Sequence, residues 1–246
     1  MKLLPSGGLW KYLEVANEVS DKVQHLRGKE MDLLGQIDNF WHNKVLGGTI
    51  TVDPIPSMPL VQSYFLWMAG VRVALSGHAI AAFPILRSST EAACYSFRMS
   101  RSPALQDVWK NRDRSPQDTK SCRRAFTSCI KDTAADIVHA EPAISRLLTE
   151  MYDAAITFGA HPNAHFMFHH LRLGEETETD HILNFDCIND PESANTTRVI
   201  CAAIEHGLMA SYISMLACGT RPQDSELQAI YQFLHQQKNE AYLPGD

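Results

Sequence analysis

The longest apolar stretch of the chain, residues 60–99, carries apolar side chains nearly all round a helical wheel and one internal proline, Pro84. A helix that is apolar on every face is typical of a protein interior rather than of a surface. Because proline removes one backbone hydrogen bond, the stretch is predicted to kink or split near residues 80–84. The pattern therefore predicts a mainly α protein, a multi-helix bundle around a central Pro-kinked helix.

The same stretch needs to be weighed as a membrane span, because residues 64–86 are long enough to cross a bilayer. Arg72 lies near the middle of that range and His78 lies beyond it. A central arginine costs at least about 2.5 kcal/mol in lipid, so we favour a buried helix and predict no membrane association. The cysteines are widely spaced and form no CxxC pair, which predicts reduced thiols in a cytoplasmic protein.

An amphipathic pattern over residues 9–46 predicts one long helix or two joined helices, with a bend near Gly28 or Gly35. The range Asp53–Pro59 is predicted to be a proline-rich connection that cannot be helical. We therefore divide the chain into an N-terminal part, residues 1–59, and a helical core, residues 60–246, within one globular unit. The long N-terminal helix predicts either a homodimer interface or part of the monomer core.

Helix start and stop signals predict further helices at residues 102–109, 116–138, 141–158, 192–218 and 223–240. The pattern changes between the third and fourth of these. Residues 164–173 and 180–188 are rich in aromatic and branched side chains, and a polar segment separates them. This arrangement predicts one small β-hairpin near residues 164–188.

Two charged residues stand among apolar neighbours just after Pro84. Arg87 and Glu91 are four positions apart, so they share one helix face and can pair. Such a pair is either a structural link between packed helices or part of a binding pocket, and both interpretations stay open at this point.

The segment Arg87-Ser88-Ser89-Thr90-Glu91, with the later stretch from Tyr152 to His161-Pro162, resembles a group of bacterial helical proteins known only as domains of unknown function. The resemblance covers roughly residues 60–175. It implies an all-helical core and a setting among phage-defence or mobile-element genes, and no established reaction. We take Arg87, Glu91, Tyr152 and His161 as the predicted ligand-binding residues.

A second resemblance concerns Arg72 and His78, whose spacing is similar to the Arg-to-His motif of HEPN-class RNases. In such enzymes the arginine would stabilise the phosphate and the histidine would move the proton of the 2′-hydroxyl. This chain departs from the motif at Ala74, where a polar residue is usual. The resemblance implies Arg72 and His78 as catalytic candidates.

Five histidines fall between residues 161 and 181, and imidazole is a common metal ligand. On a strand or a helix, His165 and His169 would share one face, and His181 on a partner strand would complete a site. No HExxH or paired Glu-x-x-His motif accompanies them. We therefore predict no metal and no cofactor, and keep these three histidines as candidates.

The function predicted first is the binding of a partner protein or a small ligand. The alternative is a hydrolase, either a HEPN-like RNase using Arg72 and His78 or a metal-dependent enzyme using the histidines of residues 161–181. Whether the protein is an enzyme stays open. The net charge of −6 argues against nucleic-acid binding except under the RNase alternative.

Overall fold

The computed structural model describes residues 8–47, 53–160, 171–176, 181–185 and 187–219, together with residues 232, 233 and 236. Throughout these ranges the chain is mainly helical, which confirms the predicted fold class at that level. In chain order the helices are α1 (Gly8–Leu26), α2 (Gly28–Phe40), α3 (Pro54–Leu75), α4 (Ala79–Ser100), α5 (Pro103–Lys110), α6 (Pro116–Phe126), α7 (Cys129–Ile137), α8 (Pro142–Ala155) and α9 (Ala194–Ala217). Two π-helical turns, Trp41–Leu46 and Ile156–Ala160, extend α2 and α8.

The N-terminal helical region is two joined helices, which is one of the two alternatives predicted for it, and the break lies beside Gly28. Helix α1 ends at Leu26, and Arg27 leaves the helical conformation with φ −118° and ψ 51° before α2 begins. The Arg27 guanidinium donates to the carbonyl of Pro191 at 3.0 Å and to Oγ1 of Thr197 at 2.8 Å. The break between α1 and α2 is therefore anchored to the segment that leads into α9.

The proline-rich connection over Asp53–Pro59 is a wrong prediction, because α3 begins at Pro54 and continues through Pro56 and Pro59. Proline at the first helical position has the right φ and lacks only an N–H that no helix uses. Pro56 is the third residue of α3, and the first four N–H groups of a helix have no intrahelical partner. A proline at this position therefore removes no helical hydrogen bond. Only Pro59 removes a helical hydrogen bond, and it is buried among the core residues.

The predicted position of the kink is also wrong. The apolar stretch splits at residues 76–78, between α3 and α4, and Pro84 lies inside α4. Gly77 takes a φ of +80°, which favours glycine and ends a helix. Asn189 holds this turn in place, because both its backbone N–H and its side-chain amide donate to the Gly77 carbonyl at 2.9 Å.

Helix α4 is the centre of the bundle, packed against α3, α5, α7, α8 and α9. Its contact with α3 is close: Ser63 Oγ donates to the carbonyl of Ser89, Ser89 Oγ donates to the carbonyl of Ser63, and both distances are 2.8 Å. Helix α9 packs against both, and Trp67 Nε1 donates to the carbonyl of Ala203 at 2.9 Å. These three helices form the core on which the remaining elements pack.

The region predicted as one helix over residues 116–138 is two helices, α6 and α7, separated at Thr127 and Ser128. Buried residues recur at helical spacing on both sides of the break, with Phe126 before it and Cys129 after it. The apolar pattern continues across the break, so its helical period does not indicate that α6 ends and α7 begins there. Helix α5 begins where predicted, with Ser102 Oγ accepting from the backbone N–H of Leu105 at 3.3 Å.

Strands β1 (Leu171–Glu176) and β2 (His181–Phe185) pair antiparallel, with Leu171 opposite Phe185 and a register shift between Leu173 and Glu176. They lie inside the range predicted for the hairpin. The hairpin over its full predicted length, residues 164–188, stays a prediction because parts of it lie outside the described residues. The same holds for the predicted last helix, 223–240, of which residues 232, 233 and 236 are described as helical.

Among the described residues, one helix, Ala194–Ala217, is long and apolar enough to cross a membrane by length and composition alone. Inside the protein, 83% of its apolar window is buried. Burial of this degree is what the core helix of a bundle requires, so the feature is weak support for a membrane span.

Candidate functional site

Three of the four predicted ligand-binding residues meet on the α4–α8 contact. Arg87 Nε lies 3.5 Å from Glu91 Oε1, and the Tyr152 hydroxyl donates to the same oxygen at 2.9 Å. The Arg87 guanidinium carbon is 6.0 Å from the centre of the Tyr152 ring. We call Arg87, Glu91 and Tyr152 the α4–α8 cluster; the fourth residue, His161, lies outside the described residues.

The electrostatics of the cluster centre on Glu91. Burial, together with the hydrogen bond to Glu91 and its charge, raises the pKa of Tyr152 to about 12, although the charge of Arg87 opposes the shift. The Tyr152 hydroxyl is therefore protonated and donating at neutral pH. Arg87 Nε is buried and has no hydrogen-bond partner among the described residues, so the ion pair with Glu91 leaves this polar atom only partly satisfied.

A cavity of about 300 Å³ opens between α4, the C-terminal part of α8 and the first turns of α9, and its lining does not include Arg87, Glu91 or Tyr152. Phe83 lines it and lies one helical turn before Arg87 on the same face of α4. We call it the α4–α9 cavity. Its lining residues are Ala79, Phe83, Ala154, Phe158, Asn195, Thr197, Arg198, Cys201, Ala202 and Glu205.

One wall of the cavity is aromatic. The rings of Phe83 and Phe158 lie 5.6 Å apart between centroids, at an angle of 32°. Phe158 belongs to the π-helical turn after α8, and Gly159 brings that turn against α4. A Cβ at Gly159 would lie 2.6 Å from Cβ of Phe83 and 2.9 Å from the carbonyl oxygen of Ile80, so only glycine fits there. Short π-helical segments are frequent at functional sites.

The opposite wall is a face of α9 and carries the polar groups. Asn195, Arg198 and Glu205 recur at helical spacing along it, with Cys201 between them. Arg198 Nη1 donates to Asn195 Oδ1 at 3.0 Å. An apolar slot with a few convergent polar groups is the usual form of a small-molecule site, and its volume is at the lower end of the common range of roughly 300–1,000 Å³.

The catalytic candidates Arg72 and His78 contact α1 and are not among the lining residues of the α4–α9 cavity. Arg72 donates to Ser20 Oγ at 2.6 Å and to Asn17 Oδ1 at 2.8 Å. His78 contacts the Tyr12 hydroxyl through Nε2 and lies 2.9 Å from Ser76 Oγ through Nδ1. Burial lowers the pKa of His78, and the charge of Arg72 lowers it further, although a hydrogen bond to the backbone of Ser76 opposes the shift. The neutral form of the ring is therefore favoured at pH 7.

The proton positions around His78 follow from its neighbours. Ser76 Oγ is 3.0 Å from the carbonyl of Val73 and donates its single proton there. It therefore accepts from Nδ1–H of His78, and Nε2 of His78 accepts from the Tyr12 hydroxyl. Ser76 and His78 are two positions apart, and the turn at Gly77 brings their side chains within hydrogen-bond distance. Even so, Ser76 donates to the backbone and not to the ring, which is the wrong direction for an activated nucleophile.

The metal-ligand candidates predicted from the sequence are His165, His169 and His181. His165 and His169 lie outside the described residues, and His181 is the first residue of β2, with its backbone alone described. Within the ranges that the structure describes, no group of three or more His, Cys, Asp or Glu side chains is arranged to hold a metal ion.

Sequence reasoning missed two titratable clusters. His206, 2% exposed on α9, pairs its Nδ1 with Thr90 Oγ1 of α4 at 2.8 Å, and burial lowers its pKa to about 4. The Tyr64 hydroxyl donates to Asp38 Oδ1 at 2.6 Å and lies 2.8 Å from His42 Nε2. Both link core helices. It also missed Arg198 and Glu205, although their spacing of seven residues places them on one helix face.

No protein-family model, curated protein or solved structure matches this chain. The two resemblances described from the sequence therefore stay expectations, and the case for a site is carried by the geometry above.

Proposed function

We propose that this protein binds a small molecule in the α4–α9 cavity. The single observation that supports the proposal is the cavity itself, with its aromatic wall of Phe83 and Phe158 and its polar wall on α9. Its volume suits a small ligand better than a peptide. Binding of a small ligand is one of the two forms of the function expected from the sequence.

The α4–α8 cluster has a place in this proposal as the polar neighbour of the cavity. Glu91 accepts from Tyr152 and pairs with Arg87, so it holds α4 and α8 together one to two helical turns from Phe83. The cavity lies between these two helices and α9, so the packing of α4 against α8 bears on its shape. Arg87, Glu91 and Tyr152, with His161, remain the proposed ligand-binding residues. The first three are proposed to act through this contact, since they are not among the lining residues of the cavity.

Binding of 1-anilinonaphthalene-8-sulfonate tests the proposal, because this probe fluoresces in apolar surroundings. The folded protein should bind it saturably, with about one site per chain. Ala202→Trp places an indole in the cavity and should abolish binding. Ala125→Trp is the matched control, since Ala125 is also half-buried on a helix but does not line the cavity.

Circular dichroism and thermal melting establish that both variants fold. If a folded Ala202→Trp protein binds the probe as tightly as the unmodified protein does, or if the unmodified protein shows no saturable binding, the cavity is not a ligand site and the proposal fails.

A hydrolase using Arg72 and His78 is the second proposal, and one observation favours it: a neutral imidazole lies within electrostatic reach of an arginine. Cleavage of single-stranded RNA by the purified protein, lost in a folded His78→Ala variant and kept in the control His25→Ala, would support it. His25 suits as the control because it is an exposed histidine of α1. Absence of cleavage would reject it.

A metal-dependent hydrolase, using His165, His169 and His181, is tested separately by elemental analysis. About one transition metal per chain, lost in the double variant His165→Ala and His169→Ala, would support it. The purified protein without stoichiometric metal would reject it.

The remaining expectations are proposals about setting and assembly. We retain a bacterial cytoplasmic protein in a phage-defence or mobile-element context, which the neighbouring genes would test. A homodimer through α1 is proposed because Trp10 is 81% exposed and Leu9 is 64% exposed on that helix. Light scattering on the purified protein, compared with Trp10→Ser, measures the oligomeric state.

A further inference from the structure

The charge of the chain is unevenly distributed along it. Residues 110–124, which cover the end of α5, the turn after it and most of α6, contain six lysines and arginines and two aspartates. This range therefore carries a formal charge of +4 in a chain whose net charge is −6. The net charge argues against a nucleic-acid partner for the surface as a whole, but binding of a polyanion depends on the local concentration of cations.

Four of these cations are exposed on α6 or immediately before it. We call them the α6 basic face: Arg114, Lys120, Arg123 and Arg124. With 3.6 residues per turn, the three that lie within the helix fall in an arc of about 100°, which faces away from the buried side chains of Cys122 and Phe126. Arg114 directly precedes the N-cap residue Ser115, so all four lie along a helix about 16 Å long.

Among the described residues, no carboxylate pairs with this face. Asp118 is the one carboxylate of α6, and it is engaged at the start of the helix: its backbone N–H donates to Ser115 Oγ at 3.1 Å, and its Oδ2 accepts from the same hydroxyl at 2.6 Å. Asp113 pairs with Arg112 instead, with 3.2 Å between Oδ1 and Nε. The four side chains of the α6 basic face form no ion pair and no hydrogen bond within the part of the chain that the structure describes.

The unpaired charges of the face repel one another in the free protein. Lys120 is four residues from Arg124 and three residues from Arg123, and like charges at these helical spacings are destabilising. A ligand that carries several negative charges would replace this repulsion with attraction. The face is therefore better suited to a polyanion than to a single anion.

The side chains of the face and its surroundings favour phosphate over a membrane or a protein partner. Three of the four cations are arginines, whose planar fork of N–H groups matches the oxygens of a phosphate. Between residues 101 and 131, a range that the structure describes in full, no large apolar side chain is exposed. A membrane-surface helix inserts such side chains, and a protein interface has an apolar centre, so the face lacks what either partner needs.

We propose that the α6 basic face binds the sugar–phosphate backbone of a nucleic acid, with its four cations contacting phosphate oxygens. Contacts to the backbone carry no sequence information, so binding is expected to be independent of base sequence. The proposal goes beyond small-molecule binding and does not depend on it, because none of the four residues lines the α4–α9 cavity.

Fluorescence anisotropy tests the proposal with labelled single-stranded oligouridine and oligothymidine of about twenty nucleotides, which is longer than common single-strand sites. Both probes should bind saturably at low ionic strength. The logarithm of the binding constant should fall with the logarithm of the salt concentration with a slope of about −3, because each phosphate contact to a single strand contributes about 0.7. Tighter binding of one probe would identify RNA or DNA as the source of the backbone.

The double variant Arg123→Gln and Arg124→Gln should bind both probes about tenfold more weakly, and its salt slope should fall to about half. It should melt at the same temperature as the unmodified protein or higher, because it relieves the repulsion from Lys120. The matched control is Lys22→Gln with Lys29→Gln, which removes the same net charge from two exposed lysines of α1 and α2. The control should bind the probes as the unmodified protein does.

Three results would overturn the proposal. The first is that neither oligonucleotide binds saturably at low ionic strength. The second is that the control weakens binding as much as the double variant does, which would show an effect of overall charge rather than of this face. The third is that polyglutamate displaces the oligonucleotides at equal charge concentration, or that the protein binds phosphatidylserine vesicles and neither oligonucleotide, which would assign the face to an acidic protein or to a membrane surface.

Discussion

The hydroxyl of Tyr152 donates to Oε1 of Glu91 at 2.9 Å and joins two helices whose residues stand 61 positions apart in the chain. Arg87 shares the same carboxylate at 3.5 Å. One carboxylate therefore links Arg87 and Tyr152, so a change at Glu91 bears on the packing of α4 against α8.

Tyr152→Phe is expected to lower the free energy of unfolding by about 1–2 kcal/mol, because it removes a hydrogen bond to a charged group and leaves Glu91 less satisfied. Urea denaturation measures the change. Tyr95→Phe is the control: the Tyr95 ring stacks on Phe126 with centroids 4.3 Å apart, and its hydroxyl makes no hydrogen bond to the described residues. Equal losses in the two variants would show that the Tyr152–Glu91 hydrogen bond contributes nothing specific.

The stability of the protein should fall as the pH decreases from 6.5 to about 4, and His206 should account for part of that loss. Burial lowers the pKa of His206 from 6.5 to about 4, so in this window the unfolded chain binds a proton that the folded protein refuses. The contribution is complete above pH 6.5 and is lost at up to about 1.4 kcal/mol per pH unit below it.

His206→Gln separates this contribution from those of the other histidines. The variant should be less stable at pH 7, since it disturbs the buried pairing with Thr90, but its stability should depend less steeply on pH between 6.5 and 4. Urea denaturation at a series of pH values measures both slopes. Parallel slopes in the two proteins would contradict the assignment.

Gly207→Ala should destabilise the protein by about 2 kcal/mol, because a Cβ there would overlap the buried indole of Trp67. Gly35→Ala should have the opposite sign. Gly35 lies within α2 and a Cβ there meets nothing within 4 Å, so alanine should stabilise by about 0.5–1 kcal/mol through helix propensity. Thermal melting of both variants compares them directly. A stable Gly207→Ala protein would contradict the close packing of α3 against α9.

Two of the six thiols should react rapidly with Ellman's reagent in the folded protein. Cys187 is exposed and Cys201 is half-buried in the cavity wall, whereas the other four are buried. Burial raises the pKa of each of those four, to about 12 for Cys129 and about 11 for Cys218, which leaves little thiolate at neutral pH.

The assignment is checked with Cys187→Ser and Cys201→Ser, each of which should remove one rapid equivalent. In the Cys187→Ser background, 1-anilinonaphthalene-8-sulfonate should slow the reaction of Cys201, since both occupy the cavity. Rapid reaction of all six thiols would contradict the assignment, because it would show that the reagent reaches the four buried cysteines in the folded protein.

His78 should be observed by nitrogen NMR as the neutral tautomer protonated on Nδ1, because Ser76 accepts there and Tyr12 donates to Nε2. Tyr12→Phe removes the hydrogen bond to Nε2 that stabilises the neutral ring, and should therefore raise the pKa of His78. Observation of the Nε2-protonated tautomer in the unmodified protein would contradict the assignment in which Nδ1–H donates to Ser76 and the Tyr12 hydroxyl donates to Nε2.

Much of the helical framework was predictable because its signals are local. The break between α1 and α2 lies beside Gly28, and α5 starts after the capping residue Ser102. The split between α3 and α4 was misplaced at Pro84, since a proline in the second turn of a helix removes only one hydrogen bond. The turn at Gly77 depends on Asn189, a residue far along the chain that the local pattern does not reveal.

The candidate site divides in the same way. That Arg87 and Glu91 share a helix face follows from their spacing, and it holds in the structure. The α4–α9 cavity had no comparable signal, because its walls come from three helices that are distant in sequence. The spacing of Arg198 and Glu205 predicts that they share one face of α9, but nothing local in the sequence indicates that this face lines a cavity.

By itself the sequence determined that the chain is mainly helical, which stretches are apolar enough to lie inside it, and that Arg87 and Glu91 face the same way. Only the tertiary structure decided that Tyr152 completes their cluster and that Gly159 brings Phe158 against Phe83. It also decided that Arg198 lines the same α4–α9 cavity as these two rings. The physical reason is the separation along the chain of the residues that interact. Helical periodicity repeats every 3.6 residues and is readable locally, whereas the contacts between helices depend on how closely distant backbones approach.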